Sequence, residues 1–289
     1  MTIATIDIGG TGIKFASLTP DGKILDKAST PTPKTLEDLL AWLDQRLSER
    51  DYRGIAMSVP GAVHQETGVI EGISAIPYIH GFSWYEALSH HKLPVHLEND
   101  ANCVGLSELL AHPEIENAAC VVIGTGIGGA MIINGKLHRG RHGLGGEFGY
   151  MTTIEPAEKL NNWSQLASTG NMVRYVIEKS GQTDWDGRKV YQEAATGNAL
   201  CQEAIERMNR NLAQGLLNIQ YLIDPDVISL GGSISQNPDF IKGVQKAVDA
   251  FVERYEEYTI APVIQACTYQ ADANLYGALV NWLQEENQW

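Results

Sequence analysis

The apolar positions at the start of the chain alternate between strand and break. Residues 2–9 and 13–19 read as β-branched strands on either side of a turn at Gly9-Gly10, with Asp21-Gly22-Lys23 behind them as a hairpin signal. The same order returns at Val121–Ala130, VVIGTGIGGA: an apolar run, a turn at Gly124-Thr125-Gly126, the apolar stretch Ala130–Ile133, then Asn134-Gly135-Lys136. Gly9 and Gly124 are 115 positions apart (124 − 9). The pattern therefore predicts a duplicated element of strand, glycine turn, strand, hairpin and strand, one copy in each half. A glycine turn exposes backbone N–H groups with no Cβ in the way, which is the chemistry for cradling phosphate.

Between and after these copies the period changes to that of helices. Leu36, Leu39, Leu40, Leu43 and Leu47 predict an amphipathic helix over Thr35–Arg50, with Thr35 and Asp38 in a capping-box pattern. Ile55–Val59 reads as a buried strand ending in Pro60-Gly61, and residues 62–96 as loop-rich. Val95–Glu98 is a short strand, followed by a helix over Ala101–Ala111 with Asp100 as its N-cap. Residues 139–170 read as an irregular, glycine-rich functional loop. Asn198–Ile223 is a long helix, Val227–Leu230 a buried strand running into Gly231-Gly232, and Asp239–Tyr255 and Asp272–Glu286 are amphipathic helices. Alternating strands and helices argue an α/β class. The restart of the repeat near Asn117 predicts lobes at 1–117 and 118–289, with the helix at about 272–286 packing back on the first.

Composition narrows the function. The 289 residues are 44% hydrophobic and carry a net charge of −14, an acidic balance that argues against a nucleic-acid partner. No run of 18 apolar residues exists and no signal peptide is read at the N-terminus, so a cytoplasmic protein is expected. Cys103, Cys120, Cys201 and Cys267 are at least 17 residues apart and read as reduced, small apolar residues.

Gly124–Gly129 also satisfies GxGxxG, but a dinucleotide site needs a helix next, and Ala130–Gly135 reads as strand and hairpin. A Walker A frame is absent around Lys14. Asp7, beside the first turn, could face phosphate-bound Mg²⁺ through water or cap its own turn. Asp100 could be a structural N-cap or a base accepting a proton from a substrate hydroxyl. His90-His91 and His138/His142 read as surface or loop residues, Tyr78–Tyr85 as a packed loop, and Glu253, Glu256 and Glu257 as a solvated helix face.

Six segments in order resemble the ROK sugar kinases, within the actin/hexokinase/Hsp70-like ATPase fold: Asp7–Thr11, Val59–Gly61, Glu98–Asn102, Gly124–Gly129, Gly145–Gly149 and Asp224–Gly232. The resemblance covers the whole chain. It implies a two-lobed actin-like (ribonuclease H-like) fold with duplicated lobes around an ATP cleft, and an ATP- and Mg²⁺-dependent sugar kinase. Under it, Asp7 orients Mg²⁺. Gly9, Gly10, Thr11, Lys14, Gly124, Thr125, Gly126, Gly128, Gly231 and Gly232 serve ATP. Asp100 is the base toward the sugar hydroxyl, expected to be the 6-hydroxyl, and Gly61, Asn99, Glu147, Tyr150 and Gln165 serve the sugar. Many relatives carry a zinc-ligating histidine where this chain has Tyr150, and a cysteine-rich zinc loop where it has Pro156–Gln165. No structural zinc is therefore expected. The usual sugar-loop asparagine is replaced near Ala75. Relatives lacking zinc resemble β-glucoside kinases, so a disaccharide or glycoside is the alternative substrate. The resemblance also implies a homodimer. A non-catalytic sugar-sensing member of the family is the competing class, disfavoured because no helix-turn-helix precedes the first strand.

Overall fold

The computed structural model describes residues 2–154, 160–254 and 260–289. It divides into two compact units: Met1–Glu114 with Arg139–Gly145 and Ala271–Trp289, and Ile115–His138 with Gly146–Gln270.

The first unit is built on a five-stranded sheet. Its strands are β1 (Ile3–Ile8), β2 (Gly12–Leu18), β3 (Ile24–Pro31), β4 (Gly54–Val59) and β7 (Val95–Asn99), in spatial order β3-β2-β1-β4-β7. β1, β2 and β3 pair antiparallel, and β4 and β7 continue the sheet parallel. β1 and β4 are buried along their whole length, which is why they read as continuous apolar runs rather than alternating ones. One cluster, with Ile6, Phe15, Met57 and Leu97, packs under α1 (Leu36–Ser48) through Leu39, Leu43 and Leu47. A second cluster joins Ile3, Leu18 and Ala56 to Cys103 of α3 (Asp100–Ala111) and to Leu275, Leu279, Trp282 and Leu283 of α9 (Ala273–Glu285). The Thr35 hydroxyl oxygen accepts from Asp38 N, as the capping pattern predicts.

Residues 62–96 hold more order than the sequence reading gave them. A small hairpin, β5 (Ala62–His64) and β6 (Val69–Glu71), is followed by a one-turn helix, α2 (Trp84–Ala87). Its aromatics are packed, as expected: Trp84 is fully buried and its indole N–H donates to Ile79 O, and Tyr85 Oη donates to Gln65 O.

The second unit repeats the plan. β8 (Ala118–Ile123), β9 (Ile127–Ile133), β10 (Lys136–Leu137), β13 (Val227–Gly231) and β14 (Ile264–Ala266) lie in order β10-β9-β8-β13-β14, again with three antiparallel strands and then two parallel ones. The duplication is thus present at the level of strand order. The hairpins of the two copies differ. Asn134 and Gly135 both have positive φ (52° and 69°) and form a two-residue turn of the twisted kind. Only Gly22 is positive in the first copy, where residues 19–23 make a wider loop closed by Thr19.

The small hairpin β11 (Thr152–Ile154) with β12 (Leu160–Asn162) leads into α4 (Trp163–Ala167), α5 (Thr169–Ser180), α6 (Gly187–Ala195) and α7 (Ala199–Ile223). α8 (Pro238–Arg254) follows β13. Their apolar faces close one large core with Val121, Leu212, Leu216, Ile228, Phe240 and Val244. The stretch 139–170 is therefore irregular only in part. The end of the helix expected to reach Tyr255, the residues Glu256 and Glu257, and positions 156–159 of the segment in place of a zinc loop lie outside the described residues.

Candidate active site

In the first unit the chemistry gathers where β7 becomes α3. Asn99 is the N-cap, not Asp100: its Oδ1 accepts from Ala101 N and Asn102 N. Asp100 is the first helical residue, with its Oδ1 accepting from Ala101 N at 2.8 Å. The correction has a simple cause. In Asn-Asp, both side chains can cap, and the one in the extended conformation at the strand end takes the role. Asp100 is thereby released from the capping duty that rivalled its reading as a base.

The junction is braced from below. Glu98 is 2% exposed. Its Oε1 accepts from Asn99 N and Asn102 Nδ2, and its Oε2 accepts from Arg139 Nε at 2.6 Å. Arg139 also donates to Asn281 Oδ1 and Glu285 Oε1 of α9. A buried carboxylate is tolerable only when paired and hydrogen-bonded, and this one is both. Asn99 Nδ2 donates to Gly61 O at 3.1 Å, so β4 and β7 hold each other's ends. Gly61 has φ 111°, and a Cβ there would lie 2.7 Å from Glu71 O. Ala75 lies against Gly10, where a Cβ on Gly10 would be 3.0 Å from the Ala75 Cβ.

The first glycine turn is closed by Gly9 N donating to Gly12 O at 3.1 Å. Asp7, 7% exposed, sits at the turn's entrance. Its Oδ2 pairs with Lys14 Nζ at 3.2 Å and its Oδ1 accepts from Asn274 Nδ2 at 2.8 Å. Lys14 also donates to Ala271 O. Asp7, Gly9, Thr11 and Lys14 line one cavity of about 420 Å³. The residues expected to serve phosphate and Mg²⁺ in this half are therefore brought together.

In the second unit Gly124 N donates to Gly126 O at 2.9 Å, closing a tighter turn. Gly128 lies in β9 opposite Val122, and Gly231 ends β13 beside the same Val122. Gly232 has φ 90°, and a Cβ there would lie 2.1 Å from Ile123 O, so the backbone passes directly over the entrance to the turn. The start of α5 abuts the turn as well, with Gly170 N donating to Gly124 O. Beyond Gly232 opens a cavity of about 590 Å³, lined by Ser233, Ile234 and Asn237 on one side and Thr169, Asp186 and Tyr191 on the other. Two buried polar atoms in its wall, Thr169 Oγ1 and Tyr191 Oη, have no hydrogen-bond partner among the described residues. Burial pushes the Tyr191 hydroxyl well above its usual pKa. It stays a neutral donor in want of an acceptor, which suits a ligand-binding wall.

Glu147 precedes a single 3-10 turn, Phe148–Tyr150, and burial raises its carboxyl above the ordinary value. Tyr150 is 71% exposed. Gln165 is exposed, and its Oε1 accepts from Asn162 N while its own N–H meets Asn162 Oδ1, a capping box for α4. Its amide oxygen is engaged in helix capping, a duty the family resemblance does not imply.

Arg139 and Asn274 were not singled out from sequence, nor were α5 and α6, and Glu98, though inside a recognised segment, was given no role. The helices had signals: Ser168 and Asp186 are N-caps and Gly181 a left-handed C-cap. Arg139 and Asn274 had none, since their partners are distant in the chain.

Two sets of findings identify the lineage. The ROK family pattern matches residues 3–285. The chain belongs to the ROK family. A beta-glucoside kinase of Listeria monocytogenes is 34% identical over 100% of this chain and 99% of its own. Among solved structures, a ROK family protein from Streptococcus pneumoniae TIGR4 in complex with sucrose is 89% identical with a TM-score of 0.98, each chain fully covered. A ROK hexokinase from Thermus thermophilus is 26% identical with a TM-score of 0.86, covering 99% of this chain and 100% of its own. The fold is that of the ROK sugar kinases, as expected, and the chain is a sugar phosphotransferase of this family. No described helix is long and apolar enough to cross a membrane.

Proposed function

We propose that this ROK protein transfers the γ-phosphoryl group of ATP to the 6-hydroxyl of a glucosyl ring, with Asp100 as general base, and that its working substrate is a glucoside rather than free glucose. The observation that carries the mechanism is the β7–α3 junction. It presents Asp100 on the first turn of a helix that Asn99 caps, over the buried Glu98 and its half-buried partner Arg139. Phosphoryl transfer needs alignment and charge neutralisation more than covalent chemistry. Asp100 takes the hydroxyl proton as the oxygen attacks the γ-phosphorus, and the bond to the β,γ-bridging oxygen breaks to release ADP.

The backbone turns at Gly9–Thr11 and Gly124–Gly126 hold phosphate, and the cavity beyond Gly232 takes the nucleoside, whose polar edge answers Tyr191 and Thr169. Asp7 fits the Mg²⁺ role. It offers hard oxygen donors at the turn, and both oxygens already have protein partners in Lys14 and Asn274, as suits holding the ion through water. The ion would neutralise phosphate charge when bound. Glu147 accepts from sugar hydroxyls, and Asn99, whose Oδ1 is taken by the helix cap, donates to one through the second hydrogen of its Nδ2. Two similarities favour a glucoside: the Listeria relative is named a beta-glucoside kinase, and the Streptococcus chain carries sucrose, a disaccharide. We further propose a cytoplasmic homodimer, on family likeness, which light scattering tests.

The deciding experiment is ADP release with ATP and Mg²⁺ over glucose, cellobiose and gentiobiose, comparing the native chain with Asp100→Asn. The substitution lowers kcat by about 10²–10⁴-fold, the usual range for a lost general base. Its melting temperature stays near that of the native chain, because Asn99 and not Asp100 supplies the helix cap. Near-native turnover by the variant would overturn the mechanism.

A further inference from the structure

The first unit contains a cavity of about 570 Å³ that none of the roles above uses. Its wall runs from Ala62 through the β5–β6 hairpin to Glu71, and back along the segment that starts at Arg139. We propose that this cavity is the subsite for the second ring of a disaccharide, an uncharged polyol attached at C1 of the glucosyl ring. The proposal rests on the glucoside-kinase reading and deepens it.

Position is the first argument. Two residues of the cavity wall, and the residue just before it, are hydrogen-bonded to three successive residues of the strand that leads to Asp100. Gln65 Nε2 donates to Leu97 O at 3.4 Å, Arg139 Nε donates to Glu98 Oε2 at 2.6 Å, and the carbonyl just before Ala62 accepts from Asn99 Nδ2 at 3.1 Å. The ring that Asn99 is proposed to hold therefore has this cavity as its neighbour. A substituent at C1 leaves the 6-hydroxyl of that ring free to react.

Chemistry is the second argument. The lining mixes signs. Glu71 and a second carboxylate face Arg139, Arg141 and His142, with only Ala62 and Val63 as apolar members. A free anion would meet the carboxylates, a cation the guanidiniums, and an apolar ligand would find little surface to bury. Adjacent hydroxyls, each both donor and acceptor, match such a wall. Arg139 is already committed to Glu98, Asn281 and Glu285, so it forms the floor. Recognition falls to Arg141, His142 and Glu71 at the exposed side. The volume lies within the usual span of small-molecule sites, about 300–1,000 Å³, and the small side chain of Ala62 leaves the entrance open.

The test compares cellobiose with glucose in Arg141→Ala and in Ala62→Tyr, which fills the entrance. The ratio of kcat/KM for cellobiose to that for glucose falls about tenfold in each, the scale of one lost charge-assisted hydrogen bond. Glucose turnover itself moves by less than about twofold. Calorimetric titration of cellobiose without ATP gives the second readout: Arg141→Ala weakens binding, and Asp100→Asn keeps it. If no sugar is phosphorylated but the titration shows this pattern, the kinase reading fails and the subsite stands. An unchanged ratio with unchanged cellobiose affinity overturns the subsite, as does an equal loss on both sugars.

Discussion

The two glycine turns share a backbone plan and divide the chemistry. Each leaves the central β1 or β8 strand of a five-stranded sheet, and the strand orders correspond position for position. The side chains do not. On the sheet register, Asp7, which pairs with Lys14, corresponds to Val122, which pairs with Gly128 across the shorter second turn. The first turn thus carries an ion pair, held further by Asn274, and the second carries none at those positions. On the proposed reading, the duplicated backbone holds phosphate twice, and the charge that would work on the transferring group sits in one copy only. The sharpest way to break this comparison is to exchange equivalent residues. Asp7→Asn lowers kcat by about 10²-fold, the scale of one preorganised electrostatic contact in phosphoryl or acyl transfer. Val122→Ala costs about 1 kcal/mol of stability by lost packing and leaves kcat within about threefold. Equal kinetic losses at both positions, measured at saturating ATP and sugar, would mean that the division of labour is wrong.

A second comparison lies one strand further along. Gly61 lies just beyond β4 and Gly232 just beyond β13, both at positive φ and both where a Cβ would strike backbone oxygen. Alanine at either site forces strain of about 1–3 kcal/mol. The kinetic consequences should part. Gly61 accepts from Asn99, so Gly61→Ala raises the KM for sugar; Gly232 borders the large cavity of the second unit, so Gly232→Ala raises the KM for ATP. Substitutions that both raised the same KM would contradict the assignment of one turn to sugar and one to nucleotide.

The unpartnered hydroxyl of Tyr191 sharpens the nucleotide side. Removing a buried polar atom that has no partner relieves a desolvation cost of about 1–3 kcal/mol. Tyr191→Phe therefore raises the melting temperature of the nucleotide-free chain. If the hydroxyl meets the nucleoside, the same variant gains less protection from added ADP than the native chain does, because binding stabilises by mass action. A variant stabilised equally with and without ADP would leave the cavity but remove Tyr191 from its recognition.

What the sequence disclosed follows the range of the forces involved. The α/β class, the duplicated turns and the helices over residues 36–48, 199–223 and 273–285 are written in local periodicity and caps, and they were legible. The Asn99-Asp100 pair was legible as a helix start, but which of two adjacent capping residues takes the cap is decided by backbone conformation. The family resemblance gives Gln165 a sugar-binding role, while its neighbour Asn162 makes it half of a capping box. Arg139 and Asn274 were missed because their meaning is a distance, and Glu98, inside a recognised segment, was given no role because its ion-pair partner is Arg139. Arg139 is 41 residues from Glu98, and Asn274 is 267 from Asp7. Nothing periodic marks a residue whose partner arrives from another part of the chain.

The smallest expected effect concerns Glu147, the acidic residue proposed for the sugar in the second unit, against Asp100 in the first. Burial disfavours the Glu147 carboxylate and raises its pKa in the folded chain. The sign for stability follows: the protonated form stabilises the fold, fully so below the ordinary carboxylate range, and that contribution is lost as pH rises through the raised value. Function runs the other way. Only the ionised form accepts two sugar hydroxyls, so the KM for sugar rises as pH falls, and begins to rise at a higher pH than an ordinary carboxylate would give. A change of about threefold between neutral and mildly acidic pH is expected, the size that a partial titration allows. Glu147→Gln removes the titration, so its KM is raised at neutral pH and flat with pH, while kcat keeps whatever pH dependence Asp100 imposes. A KM profile that Glu147→Gln leaves sloping would place the titrating group elsewhere and return Glu147 to the structural turn it caps.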